Sequence, residues 1–348
     1  MKQESDIVID ILIFDDKHHY ELEDTFNQMG ITIYKVSWPT ISGLFKCCSD
    51  LNKFFRMHHD YNIIHAHTSS KAVLPLYYAK KYGINIRISH SHNTDFQTKN
   101  LILKTIGIIL KIPLKRLSTH YFACSTEAAI WLFGKHLVEQ GKVSILKNGI
   151  FVNNYSYNIQ QRQEIRQQLN FAENDVIIGN VGRFTHQKNH DFLIDIFNSY
   201  HSINKNSKLL LIGAGELVDM IKEKVSNLGL SDSVIFFGFC SNAQKFYQAF
   251  DIFLMPSLYE GLPFVGIEAQ AAGLPCFFSD TITKELKITQ SVYFISLNKT
   301  PDFWAEKIDT CMQSFKRLDV KDYITAAGYN IECEVKKLIE YYKKIANE

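Results

Sequence analysis

The sequence contains no C-x-x-C pair, no Asp-x-Asp motif and no apolar run near the ~18 residues that cross a bilayer. Each absence removes a class of protein. The seven cysteines, at 47, 48, 124, 240, 276, 311 and 333, are odd in number and scattered, which disfavours a disulfide framework or a zinc ribbon and fits a reducing compartment. Proline (7) and glycine (17) are sparse in 348 residues, so collagen-like and low-complexity chains are excluded. Charge of either sign is nearly cancelled: 38 Lys and Arg against 36 Asp and Glu leave +2, too little for a nucleic-acid footprint. The opening MKQESDIVID is polar and acidic where a secretory signal is basic and then apolar. A cytoplasmic protein without a nucleic-acid partner is expected.

Apolar residues make up 46% of the chain, ample for a core, and at ~150 residues per domain the length gives about two domains. Short β-branched runs alternate with longer amphipathic stretches, the pattern of parallel sheets covered by helices, so the fold class is α/β. One set of strands is expected at Ile7–Phe14, Ile31–Val36, Ile63–Ala66, Ile86–His90, His120–Ala123 and Val143–Leu146. A second is expected at Val176–Val181, Leu209–Ile212, Val234–Phe236, Ile252–Met255, Pro275–Phe278 and Val292–Ile295. The Asn148-Gly149 turn signal and the polar stretch after it mark a linker near 150–160. The expected domains are therefore 1–152 and 153–328, with a helix over 329–348 returning to the first.

In doubly wound domains, ligands sit beyond the carboxyl ends of the strands. After Val176–Val181 comes Gly182-Arg183-Phe184-Thr185-His186-Gln187-Lys188, a glycine turn followed by two cations suited to a diphosphate. After Ile252–Met255 comes Pro256-Ser257-Leu258-Tyr259-Glu260-Gly261-Leu262-Pro263, then a helix carrying Glu268. Gly261 is expected to permit a tight backbone and Pro263 to start that helix, whose free amides can face a phosphate or a sugar oxygen. A carboxylate accepts two hydrogen bonds side by side, which suits a ribose diol or sugar hydroxyls.

These residues resemble glycosyltransferase family 4 (group 1), the retaining glycosyltransferases of GT-B fold, in its exopolysaccharide and capsule branch. The likeness includes Gly182-Arg183 with Lys188, Leu211-Ile212-Gly213-Ala214-Gly215-Glu216, Phe236-Phe237-Gly238-Phe239 and the Glu260-x7-Glu268 pair. It extends through Ser89–Thr94, Ala123–Ala129 and Leu146–Ile150 over nearly the whole chain. The resemblance implies two Rossmann-like domains and transfer of a hexose or N-acetylhexosamine from a nucleotide sugar, most often a UDP-sugar. The acceptor would be a polysaccharide or a lipid-linked saccharide, and no metal or other cofactor would be needed. It places Arg183 and Lys188 on the donor diphosphate beside Gly182, Glu268 on the ribose, and Glu260 on the transferred sugar. Gly261, Leu262 and Pro263 would line the site, backbone near Phe239 would meet the base, and His92 would support the transition state. The family's first strand and glycine-rich loop have no counterpart before Ile7–Phe14, so a catalytically impaired nucleotide-sugar-binding or scaffold subunit is the alternative expectation. A nucleotide-sugar epimerase of similar fold is a further rival.

Other readings are weaker. His65-Ala66-His67 and His90-Ser91-His92 follow strands and could suggest zinc, but no Cys or carboxylate lies at ligand spacing. The run LLLIGAGE has Val218 where a dinucleotide fingerprint needs its third glycine. From Gln97 to Thr126 there is no acidic residue, while Lys99, Lys104, Lys111, Lys115 and Arg116 alternate with Ile102, Ile106, Ile109, Leu110 and Leu114. That helix either lies on an anionic membrane surface or packs on the sheet with a solvated basic edge.

Overall fold

The β-branched runs become twelve parallel strands in the computed structural model, which describes residues 7–15, 17–40, 42–96, 98 and 100–348. They are β1 (Ile11–Phe14), β2 (Ile33–Val36), β3 (Ile63–Ala66), β4 (Ile86–Ser91), β5 (His120–Ala123), β6 (Val143–Ile145), β7 (Val176–Val181), β8 (Ser207–Ile212), β9 (Val234–Gly238), β10 (Ile252–Met255), β11 (Cys276–Ser279) and β12 (Val292–Ile295). The helices are α1 (Glu21–Gln28), α2 (Leu44–Met57), α3 (Val73–Lys81), α4 (Leu101–Leu117), α5 (Thr126–Phe133), α6 (Lys135–Glu139), α7 (Ile159–Gln168), α8 (His190–Ile203), α9 (Val218–Asn227), α10 (Phe264–Ala271), α11 (Pro301–Met312), α12 (Lys321–Ala326) and α13 (Ile331–Ala346).

The chain divides into two units, one holding residues up to Lys147 together with Leu338–Glu348, the other holding Asn148–Lys337. The second unit contains one six-stranded sheet of order β12-β11-β10-β7-β8-β9. Counted within the unit this is the doubly wound arrangement, with its switch point between β7 and β10. Strand side chains alternate between faces, so both faces are covered by different residues of the same strands. Ile177, Leu210, Phe253 and Phe278 enter one core with Tyr247 and Phe250. Ile178, Leu209, Leu254 and Phe277 enter the other with Leu193, Phe197 and Trp304. Residues 150–160, expected as a linker, are instead part of this unit: Ile150 and Val152 are buried in its first core, and α7 begins at Ile159. Arg162 and Arg166 of α7 clasp Asp251, just before β10, at 2.6 and 3.2 Å.

In the first unit the strands form two parallel sheets, β1-β2 and β3-β4-β5-β6. Expected strands at Ile7–Phe14 and Ile31–Val36 shorten to the ranges of β1 and β2. The helix expected over 329–348 is α13, which starts at Ile331; before it α12 ends at Ala326 and Gly328 turns the chain at φ +80°. The last turns of α13 carry Leu338, Tyr341, Tyr342 and Ile345 against Ile88 and Phe122.

Helix α4 starts where the Asn100 side chain accepts from the Ile102 and Leu103 amides. It packs inward through Gly107, Leu110, Leu114 and Leu117, with Gly107 leaving room for the Phe96 ring. Outward it shows an apolar stripe: Leu101, Ile102, Ile108, Ile109 and Ile112 are 57–77% exposed. The basic edge is narrower than expected. The Lys111 ammonium donates to the Trp131 carbonyl and lies 4.0 Å from that ring's centroid, so it belongs to the packing. Lys104 lies 3.7 Å from Asp95, and Lys99 and Gln97 lie outside the described residues.

Candidate active site

Two loops meet beyond the carboxyl ends of β7 and β10, at the switch point of the second sheet. After β7 the chain turns at Gly182 and passes Arg183 and Phe184 to a short 3₁₀ turn, His186–Lys188. It enters α8 through Asn189 in the left-handed region at φ 54°. After β10 it runs from Pro256 to Pro263, the residue that caps α10. Hydrogen bonds sew the loops together: the Leu258 amide donates to the Gln187 carbonyl (2.8 Å), and the Asn189 side chain donates to the Pro256 carbonyl (3.1 Å).

This stitching brings Lys188 and Glu260 together. The ammonium lies 2.7 Å from the carboxylate, with side chains 17% and 9% exposed. The Gln187 amide donates to the other Glu260 oxygen at 3.1 Å. Glu260 is thereby held at the mouth of α10, whose first-turn amides lack intrahelical acceptors. Arg183 is exposed and pairs with no carboxylate among the described residues. The loop after β8 supports this turn from below. Gly213, at φ +148°, sits so close that a Cβ there would lie 1.9 Å from the Gly182 carbonyl oxygen.

One helical stretch into α10 stands Glu268, where the Tyr247 hydroxyl donates to it at 2.7 Å and Tyr155 also bonds it. Burial, then the Glu268 charge, raises both tyrosine hydroxyls, so each remains a protonated donor that fixes the carboxylate. Neither tyrosine carries a motif signal; the polar Tyr155 stretch reads as linker and Tyr247 as core. Phe239, one residue beyond β9, is 80% exposed. Leu262 is half-buried and Pro263 buried. A Cβ at Gly261 would meet no protein atom within 4 Å.

His92 belongs to the first unit. Its Nε2 lies 2.8 Å from Nδ1 of His67, and its ring stacks on His90 at 4.1 Å between centroids.

Residues 161–324 match the family described as glycosyl transferases group 1. EpsF of Bacillus subtilis (strain 168), named as a glycosyltransferase, is 32% identical over 286 residues, covering 81% of this chain and 74% of that protein. The chain belongs to the group 1 glycosyltransferases. Among other members, an Escherichia coli protein named UDP-Gal:alpha-D-GlcNAc-diphosphoundecaprenol alpha-1,3-galactosyltransferase is 25% identical over 224 residues, 63% of this chain and 58% of that protein. The fold of this group 1 chain is also that of Anabaena Alr3699/HepE, crystallised in complex with UDP: the TM-score is 0.76 at 16% identity, covering 97% of this chain and 100% of that one. The expected GT-B architecture of two parallel α/β units is thus the observed fold.

Proposed function

We propose that this group 1 glycosyltransferase moves a hexosyl or N-acetylhexosaminyl unit, with retention, from a UDP-sugar to a polysaccharide or lipid-linked saccharide. The observation that carries the reading is the Lys188–Glu260 pair, which joins a cationic loop to a carboxylate at the switch point. Lys188 has three donor protons, so its ammonium can hold Glu260 and a donor phosphate oxygen together. Arg183 adds a planar fork for the same diphosphate. Glu260 accepts from hydroxyls of the transferred sugar. Glu268, braced by Tyr155 and Tyr247, accepts from the ribose diol. Phe239 lies where backbone amide and carbonyl can meet the base.

In this mechanism the bond from the acceptor oxygen to the anomeric carbon forms on the face from which the diphosphate departs. The carbon–oxygen bond to the diphosphate breaks, and the acceptor proton passes to the leaving phosphate oxygen. Arg183, Lys188 and the amides of α10 stabilise the charge that grows there. The E. coli relative's printed donor and diphosphoundecaprenol acceptor, and the UDP in the HepE crystal, support the donor and acceptor classes.

The exposed apolar stripe of α4, flanked by Lys104, Lys115 and Arg116, supports a peripheral position on an anionic membrane, where lipid-linked acceptors reside. Among the described residues no helix is long and apolar enough to cross a membrane.

The test is calorimetric binding and slow hydrolysis of UDP-, GDP- and ADP-sugars by wild type, Arg183→Ala and Glu268→Ala. Binding and hydrolysis of one UDP-sugar, lost in both variants, is expected. Folded protein that binds no donor would refute the reading, and binding without transfer to any acceptor would favour a scaffold subunit.

A further inference from the structure

Four histidines gather at the carboxyl ends of β3 and β4. The two strands are parallel with His65 opposite Ile88, and residues two apart share a face, so His65, His67, His90 and His92 project to one side of the sheet. Ring centroids lie 4.4 Å apart for His65 and His67, 5.1 Å for His65 and His90, and 5.0 Å for His67 and His90. Nitrogens face nitrogens: His65 Nε2 is 3.1 Å from His90 Nδ1, and His67 Nδ1 is 2.8 Å from His92 Nε2.

An imidazole pair of this kind can share a proton only while one ring offers a lone pair, and among the described residues no carboxylate pairs with His65, His67 or His90 to favour cations. His90 is 2% exposed and its Nε2 has no hydrogen-bond partner.

The same arrangement suits a metal. One nitrogen from each of His65, His67 and His90 lies within 4.8 Å of the others. A tetrahedral ion with metal–nitrogen bonds of ~2.0–2.1 Å sets its ligand nitrogens ~3.3–3.4 Å apart. The His65–His90 pair already stands near that spacing, and rotation of the exposed His67 ring brings in the third nitrogen. The Tyr342 hydroxyl bonds His65 Nδ1, which orients the ring, leaves Nε2 as the ligand atom and fills the outer position that a carboxylate, carbonyl or water more often takes.

We propose that His65, His67 and His90 form a binding site for one borderline divalent transition ion, Zn²⁺ foremost, with the fourth position taken by water or by His92. Three imidazoles without carboxylate oxygens select Zn²⁺, Cu²⁺ or Ni²⁺ and reject Mg²⁺ and Ca²⁺. The exposed edge at His67 is the path of entry. The site lies wholly within the first unit and does not depend on the donor-site reading. The sequence shows both His-x-His pairs after their strands but no Cys or carboxylate at ligand spacing; the strand register supplies the convergence instead.

The experiment uses untagged full-length protein stripped with a chelator and dialysed. Zn²⁺ is titrated by calorimetry, Co²⁺ by visible absorption, and melting is followed with and without Zn²⁺, for wild type, His67→Ala and Tyr342→Phe. One Zn²⁺ per chain, a raised melting temperature and the intense bands of tetrahedral Co²⁺ are expected. His67→Ala, at an exposed position that leaves the fold intact, should weaken Zn²⁺ at least about tenfold, and Tyr342→Phe should weaken it about tenfold, as loss of an outer partner does. Folded wild type that binds no Zn²⁺ would overturn the site. So would binding unchanged in His67→Ala, or a weak octahedral Co²⁺ spectrum.

Discussion

Replacing Gly213 by alanine tests whether the β8 loop sets the position of the diphosphate turn. The new Cβ would stand 1.9 Å from the Gly182 carbonyl oxygen, and the residue would keep a φ of +148° that side chains rarely adopt. The backbone conformation alone costs of order 1–3 kcal/mol. Relieving the overlap adds roughly 1–3 kcal/mol more, because a carbonyl in a parallel sheet's exit turn cannot swing aside as a side-chain tip can. A total of roughly 2–6 kcal/mol, at about 2–4 °C per kcal/mol for a domain of this size, lowers the melting temperature by roughly 4–24 °C. The displacement falls on Gly182 and Arg183, so donor binding should fall as well. Gly261→Ala is the control: its Cβ meets nothing within 4 Å, so its melting temperature should stay within about 2 °C, as for surface substitutions. Calorimetric UDP binding and scanning fluorimetry on both variants make the comparison. A Gly213→Ala protein that melts with wild type and binds donor equally would refute the argument.

Lys188→Met leaves Glu260 nearly buried beside an apolar chain, so stability should fall by about 2–4 kcal/mol in urea unfolding, and Lys188→Met/Glu260→Leu should recover most of it while transfer stays lost. His190 is buried with both ring nitrogens unpartnered and stacks on Phe184 at 4.0 Å between centroids. Burial, then the nearby Lys188 charge, lowers it to about 4. The unfolded chain therefore takes up this proton near pH 6.5 and the native one does not, so stability is complete above that pH and falls by about 3 kcal/mol as pH drops to 4. His190→Phe, which keeps the stack, should flatten the profile; an unchanged profile by denaturant titration would reject the assignment. Ile108→Ser/Ile112→Ser and Lys104→Glu/Lys115→Glu should each cut sedimentation with anionic vesicles at least about tenfold, and wild-type sedimentation of both would remove the membrane role from α4.

The β strands were legible because parallel strands buried on both faces read as short apolar runs, as Ile252–Met255 does, and their ends located the two loops that carry Arg183, Lys188 and Glu260. The boundaries that failed did so for physical reasons. Residues 150–160 are polar enough to suggest a linker, yet Ile150 and Val152 are buried in the core, Tyr155 packs on it, and the buried Gln248 side chain bonds the backbone of Tyr155, Ser156 and Asn158. The closing helix, by contrast, was legible from its apolar spacing, and Gly328, with its positive φ, separates it from α12. Contacts made across register or between distant elements left no trace in local pattern. Tyr155 and Tyr247 reach Glu268 only in the folded unit; the two His-x-His pairs were visible after their strands, but that they meet follows only from β3 lying beside β4 in one register. The basic stretch of α4 could not disclose that Lys111 turns inward to Trp131.

Helix α13 orders events during synthesis. Ile88 and Phe122 are made early, but the side chains that cover them, Leu338, Tyr341, Tyr342 and Ile345, leave the ribosome only after all of the second unit has been translated. The amino-terminal unit must therefore wait with part of its core uncovered while its neighbour folds, the reverse of strictly sequential domain completion. Released chains ending at Lys337 should show the second unit resistant to protease and the first still open to it.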